Sequence, residues 1–169
     1  MFKNNIGSLG CVEIVKLFDN SNCKLSSLDL SYNDITNDEG VMSNALVNNN
    51  CKLSSLDLSI NNISDEGVTQ LSNALVNNNC NLSCLSLRVN KITDKGVKQL
   101  SNALVNNNCK LRSLNLSDNN ITGEGVNQLS NALVNNNELR SLNLYGNTEM
   151  TNKAVTQIKK ANPNCKVLF

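Results

Sequence analysis

Leucine recurs along the chain in one short phrase that is repeated five times. The phrase has Leu at its first, fourth and sixth positions and Asn at its ninth, and copies begin at residues 25, 53, 82, 111 and 139. Because successive side chains of a strand point to opposite faces, the fourth and sixth positions share one face. The phrase therefore predicts a short strand in each copy, with these pairs pointing into the core: Leu28 and Leu30, Leu56 and Leu58, Leu85 and Leu87.

A helical pattern follows each strand phrase. In residues 63–79, the apolar positions fall on one side of a helix: Val68, Leu71, Ala74 and Leu75. Ser64 is the expected N-cap, and the asparagines at 77–79 are expected to end the helix and turn the chain toward the next strand. Glycine recurs near each helix start, where its small size permits close packing of adjacent repeats: Gly67, Gly96 and Gly125.

The repeat period is seen by aligning Cys23, Cys51, Cys80 and Cys109, which lie 28, 29 and 29 residues apart. We interpret the chain as one domain, 1–169. Residues 1–22 form an N-terminal half repeat, and four repeats follow at 23–50, 51–79, 80–108 and 109–137, before a degenerate repeat and a C-terminal strand in 138–169. The first repeat should have a distorted helix because Gly40 is out of register. Pro163 should end the last helix, and 167–169 should begin one more strand. The ninth-position asparagines are expected to bond the backbone of neighbouring turns.

A period of this length with the pattern LxxLxLxxN is the signature of leucine-rich repeats. The unit length, the Gly of "EGV", the "NAL" helix and the Cys ahead of the strand resemble the ribonuclease-inhibitor-like class, which also supplies the sensor arrays of NOD-like receptors. The resemblance implies an α/β fold: a right-handed solenoid forming a short horseshoe arc, with a parallel sheet on the concave face and helices on the convex face. It also implies protein recognition through the concave surface.

Composition narrows the possible functions. The net charge is +1, 17% of the residues are charged and 3% are aromatic, with no run of Lys or Arg. Nucleic-acid and membrane-surface binding therefore have no electrostatic signature in the sequence. No apolar run approaches the length of a membrane span, and no secretory signal is recognisable. We expect a cytoplasmic protein without nucleic-acid or membrane partners.

Seven cysteines and no histidine make a cofactor or metal site improbable on chemical grounds. Equivalent cysteines in stacked repeats lie in a line, whereas zinc needs ligands around a tetrahedron. We expect most of these thiols to be small buried hydrophobes, with a disulfide framework as the lesser alternative. Cys84 is the cysteine expected on the exposed face of a strand. We expect no metal, no cofactor and no catalytic residue.

The strand positions expected to face solvent differ between copies, whereas the helices are almost identical. These positions are the third, fifth and seventh of each phrase, with the eighth at the edge of the sheet. Variation between copies is where binding specificity could lie, while the Asn- and Ser-rich helices suggest a solvated scaffold. Tyr and Arg are the residue types enriched at binding hot spots. The candidate partner-binding residues of the concave face are Tyr32, Ile60, Arg88, Val89, Tyr145, Asp29 and Asp57.

The expected function is a non-catalytic module that binds a protein partner on the concave face. Tyr32, Ile60 and Val89 would form an apolar ridge across three strands, although the same side chains could instead cover the edge of the sheet. One alternative is a regulator of an enzyme, either a ribonuclease inhibitor or a GTPase activator using Arg88, Arg112 or Arg140. Another is a structural segment of a larger array, or one that self-associates through uncapped ends.

Overall fold

Strands and helices alternate through the described parts of the chain, as the repeated pattern predicts. The computed structural model describes residues 4–36, 40–147 and 151–169. The strands are β1 Ser27–Asp29, β2 Ser55–Asp57, β3 Cys84–Ser86, β4 Ser113–Asn115, β5 Ser141–Asn143 and β6 Lys166–Leu168. The helices are α1 Gly7–Val15, α2 Val41–Leu46, α3 Asp65–Leu75, α4 Asp94–Leu104, α5 Gly123–Leu133 and α6 Asn152–Ala161, and a 3₁₀ turn, Lys16–Asp19, follows α1.

The six strands form one open parallel sheet in the order of the sequence. Each strand pairs in register with its neighbour, so that Leu28 lies opposite Leu56, and Leu56 lies opposite Leu85. The helices pack beside one another on the other side of the core, each against the helix of the next repeat. The fold is therefore the predicted leucine-rich-repeat solenoid, with the sheet on its concave face.

The apolar core lies between the sheet and the helices. The predicted inward-facing leucines of β1 to β3 are all buried, together with the apolar face of α3. Five of the seven cysteines are buried in the same core: Cys11, Cys51, Cys80, Cys109 and Cys165. All seven thiols are free, so the structure corresponds to the buried-hydrophobe interpretation of these residues.

The ninth-position asparagines join successive repeats, as the sequence predicts. Asn61 donates to the carbonyls of Leu58 and Leu30, the latter in the preceding repeat, at 3.0 Å each. Its Oδ1 accepts from the backbone N–H of Asn33 and Ile35. Asn90 and Asn119 donate in the same pattern. These amides satisfy backbone groups that the turns would otherwise leave buried and unpaired.

The helices begin as predicted. Ser64 caps α3 by accepting from the N–H of Glu66, and Thr93 and Thr122 cap α4 and α5 in the same way. The helix of the first repeat, expected to be distorted, is α2, which has six described residues where α3 has eleven. Gly40 precedes α2 with a φ of 65°. At the other end, α6 stops before Pro163, and β6 supplies the extra strand.

The helical copies are more than the solvated scaffold that the sequence suggests. The serine of each "SNAL" segment is buried, at Ser43, Ser72, Ser101 and Ser130. In the asparagine runs, the first side chain accepts from the N–H two residues on, as Asn77 does from Asn79. The last side chain donates to the previous repeat, as Asn79 does to the Val47 carbonyl at 3.1 Å. The repeated run thus binds one helix end to the next repeat.

Candidate protein-binding surface

The variable positions lie where each strand ends and the chain turns toward its helix. The strands stop at the fifth position of the phrase, but the backbone ladder continues through the turn. Tyr32 N–H donates to the Ser59 carbonyl at 2.9 Å, Ile60 to the Arg88 carbonyl and Val89 to the Ser117 carbonyl. The eighth-position residues therefore form one continuous row. We call this row the rim: Tyr32, Ile60, Val89, Asp118 and Gly146.

The rim backbone is left-handed at each of these positions. The φ values are 60° at Tyr32, 53° at Ile60 and 50° at Val89. Asp118 and Gly146, at the same position of the next two repeats, also have positive φ. Asp, Asn and Gly adopt this conformation readily, whereas a β-branched residue such as Ile or Val is a genuine outlier there. The strain is of the order of 1–2 kcal/mol per residue.

The apolar side chains of the rim are open to solvent. The exposed fraction of Tyr32 is 42%, and Ile60 and Val89 are half-buried. The three residues of the predicted ridge therefore follow one another in neighbouring turns at the edge of the sheet. They lie in the turns after the strands and not on the strands themselves.

Arg88 has a partner that the sequence did not single out. Its Nε lies 2.9 Å from Asp118 Oδ2, in the next repeat. Arg88 occupies the seventh position and Asp118 the eighth, so the ion pair lies across the rim. Both side chains are partly exposed, and the pair holds the guanidinium against the turn. The signal available in the sequence was the register, because residues one repeat apart are neighbours in a solenoid.

Tyr145 is the second exposed aromatic side chain of this edge. Its exposed fraction is 62%, and its N–H donates to Asn143 Oδ1 at 3.0 Å. Its carbonyl accepts from the N–H of Asp118 at 2.7 Å. Tyr145 therefore lies next to the Arg88–Asp118 pair, at the opposite end of the rim from Tyr32.

Asp29 and Asp57 lie on the face of the sheet, on paired strands. Asp29 accepts hydrogen bonds from the hydroxyl of Ser31 at 2.6 Å and from its N–H at 2.9 Å. These two bonds, the hydroxyl first, lower the pKa of the Asp29 carboxyl. Asp57 accepts from the N–H of Ser59 at 2.8 Å. Both carboxylates thus help to hold the start of the turn.

The seventh position was expected to face solvent, and this expectation is wrong for its serines. Ser31, Ser59 and Ser117 are buried, Ser117 with an exposed fraction of 1%. The chain turns at the eighth position, so a small seventh side chain is covered by the adjoining turns. Ser59, for example, shares a hydrogen bond of 2.7 Å with Ser86 of the next repeat. The longer side chains of Arg88 and Tyr145 reach beyond this cover.

The other candidates for chemistry were metal-binding groups, the exposed thiol and two further arginines. Within residues 4–36, 40–147 and 151–169, no group of three or more His, Cys, Asp or Glu residues could hold a metal ion. Cys84 is exposed on β3. Arg112 and Arg140, the other arginines considered for GTPase activation, are exposed ahead of β4 and β5.

Comparison with known families identifies the family to which the repeats belong. The family model described as Leucine Rich repeat matches residues 21–43, 49–72, 78–101 and 107–130, which together make up more than half of the chain. The chain belongs to the leucine-rich repeat family. No curated protein matches its sequence.

A solved structure shares the solenoid fold. Leiomodin-1 Actin-Binding Site 2 is 21% identical with a TM-score of 0.75, and the match covers 90% of this chain and 87% of that one. An internalin from Listeria monocytogenes is 20% identical with a TM-score of 0.41, covering 93% of this chain and 49% of the internalin. The first likeness concerns the fold alone, and the second is too weak to support an argument.

Within the described ranges, no helix is both long enough and apolar enough to cross a membrane.

Proposed function

We propose that this leucine-rich-repeat protein is a non-catalytic module that binds a protein partner through the rim and the adjoining concave face. The apolar side chains Tyr32, Ile60 and Val89 would form the centre of the contact. Arg88 and Tyr145 would extend it along the same edge, and Asp29 and Asp57 would contribute polar contacts from the sheet.

The observation that supports this proposal is the strain at Ile60 and Val89. Two β-branched residues occupy left-handed positions at which the same chain elsewhere has Asp118 and Gly146. Their side chains are only half-buried, so packing in the core offsets little of that strain energy. Backbone strain that folding does not require is typical of functional sites.

The test replaces Ile60 and Val89 together with Asn, which accepts positive φ more readily. We expect this Ile60→Asn, Val89→Asn variant to be at least as stable as the wild type in chemical denaturation, because relieved strain offsets the lost apolar contact. We also expect it to lose a partner that the wild type captures from cell lysate, with affinities then measured on the purified partner.

The matched control is Val105→Asn, Val134→Asn. These valines are exposed at the ends of α4 and α5, in ordinary right-handed conformations, so the control removes similar apolar surface from the helical side. It should keep the partner. Equal capture by all three proteins, or no specific capture by the wild type, would contradict the proposal. Actin is a reasonable first partner to test, because the leiomodin-1 domain of the same fold is described as an actin-binding site.

A further inference from the structure

The opposite edge of the sheet, where the strands begin, carries a cluster of positive charges. Arg112, Arg140 and Lys166 immediately precede or begin β4, β5 and β6, and the backbone ladder places them side by side. Arg140 N–H donates to the Arg112 carbonyl, and Lys166 N–H donates to the Arg140 carbonyl, at 2.8 Å each. Neighbouring strands are about 4.8 Å apart, so three cations separated by 26–28 residues in sequence become adjacent.

A groove adjoins this cluster. It has a volume of about 400 Å³, and its lining includes Lys110, Arg112, Asn81 and Glu138. Lys110 Nζ is held on the groove wall, 2.9 Å from Asn81 Oδ1 and 3.3 Å from the Asn78 carbonyl. We call Lys110, Arg112, Arg140 and Lys166 together the basic edge.

The charges of the basic edge are not neutralised within the described chain. The ion pairs found in residues 4–36, 40–147 and 151–169 are Lys16–Glu13 and Arg88–Asp118, and neither includes a member of the basic edge. All four of its side chains are exposed. Glu138 is the acidic residue of the adjoining groove, so a positive excess remains there.

We propose that the basic edge binds an acidic segment of a partner protein, with Arg112 and Arg140 as the main anchors. The planar guanidinium group pairs with a carboxylate through two parallel hydrogen bonds. Two arginines one strand apart suit two carboxylates of an extended segment that crosses the strands. This inference goes beyond the proposed function, since it concerns the edge opposite the rim and does not depend on the rim.

The same geometry argues against a nucleic-acid occupant. Single-stranded nucleic acids are held by a positive groove combined with aromatic side chains on which bases stack. The exposed tyrosines, Tyr32 and Tyr145, both lie after their strands, at the other edge. Glu138 in the groove would repel a continuous chain of phosphates, whereas separate carboxylates can be spaced around it.

The earlier repeats show which residue can replace the two arginines. Repeats one to three have Ser26, Ser54 and Ser83 where the later repeats have Arg112 and Arg140. Ser54 and Ser83 each bond the carbonyl of the equivalent residue in the preceding repeat, at 3.1 Å and 3.0 Å. The Arg112→Ser, Arg140→Ser variant should therefore fold normally. Each new serine hydroxyl should bond the carbonyl of the equivalent residue in the preceding repeat.

The experiment measures fluorescence anisotropy of a labelled octapeptide of alternating Glu and Ser against the wild type. We expect saturable binding that falls as salt shortens the Debye length. Arg112→Ser, Arg140→Ser should bind about tenfold more weakly. The matched control is Lys91→Asn, Lys98→Asn, which removes two exposed cations elsewhere and introduces the residues of equivalent repeat positions. It should bind like the wild type.

Three results would overturn the inference. The first is binding of the Glu peptide no stronger than that of a neutral Gln–Ser octapeptide. The second is an equal loss of affinity in the two double variants, which would reflect net charge alone. The third is a labelled thymidine octanucleotide that binds more tightly than the peptide and depends on the same two arginines. Circular dichroism and thermal melting confirm that all variants are folded.

Discussion

Gly96 shows how single residues of adjacent repeats depend on one another. The carboxylate of Asp65 accepts from the hydroxyl and N–H of Thr93, at 2.6 and 2.8 Å, and from the N–H of Gly96 at 3.0 Å. A Cβ at Gly96 would lie 2.6 Å from the Asp65 carboxylate oxygen. In the later repeats, Gly123 replaces the aspartate, and Ala154 occupies the glycine position of the following helix. Aspartate and glycine therefore form a coupled pair across the repeat boundary.

We expect Gly96→Ala to be less destabilising when residue 65 is glycine than when it is aspartate. In the wild type, the steric conflict should lower the free energy of unfolding by about 1–3 kcal/mol. In an Asp65→Gly background the carboxylate is gone, and the nearest atoms left are Ile92 Cγ2 at 3.1 Å and the Cα of residue 65 at 3.3 Å. The same change should therefore be less destabilising there than in the wild type, by about 1–2 kcal/mol. A double-mutant cycle in urea measures this coupling. Equal destabilisation in both backgrounds would show that the pair is independent.

At the scale of the elements, the asparagine ladder holds the turns after the strands. Asn119 is buried and donates to the carbonyls of Leu87, Leu116 and Ser117, while its Oδ1 accepts from the N–H of Ile92 at 3.1 Å. The bonds to Leu87 and Ile92 cross to the preceding repeat. One amide therefore satisfies several backbone groups in two repeats, and no shorter or apolar side chain can replace it.

Replacing Asn119 with Ala should destabilise the protein by about 3 kcal/mol, because buried backbone groups lose their partner. The adjacent Asn120 is exposed, and Asn120→Ala should change the free energy of unfolding by less than about 0.5 kcal/mol. Urea denaturation followed by circular dichroism compares the two variants. Similar destabilisation by both would mean that the ladder bonds contribute little.

At the scale of the whole molecule, stacked repeats place equivalent side chains in continuous columns. Cys51, Cys80 and Cys109 form one such column inside the core. Burial raises the pKa of each thiol, and the neighbouring thiol, Cys23 for Cys51, contributes in the same direction. Burial also raises the pKa of Cys11, to about 11. In the unfolded chain these thiols have their ordinary pKa, so the folded state retains protons that the unfolded state loses.

Stability should therefore be fully present below the ordinary thiol pKa and decline as pH rises through the raised values. We expect the urea midpoint, measured under reducing conditions, to fall steadily between about pH 9 and pH 11. Cys80→Ala, Cys109→Ala should lower stability at every pH but show a shallower decline. A variant with the same pH slope as the wild type would assign the decline to other groups.

The fold could be predicted in detail from the sequence because every repeat carries the same local pattern of leucine, cap and turn residues. The leucine alternation, the cap at Ser64, the altered helix of the first repeat and the final strand all depend on near neighbours in the chain. The seventh position was harder to predict, since alternation along a strand suggested that Ser31 and Ser117 face solvent. The turn at the eighth position buries them, and a period-two pattern contains no information about where a strand ends.

By itself the sequence determined the repeat, its elements and its core, because burial in a solenoid follows a periodic pattern that one repeat already contains. Only the tertiary structure decided which side chains from different repeats meet. It placed Arg88 against Asp118, gave Ile60 and Val89 a left-handed backbone, and brought Arg112 beside Arg140. Because the repeats stack, residues that are one repeat apart in the sequence lie one strand apart in space. The candidate sites are formed by such residues.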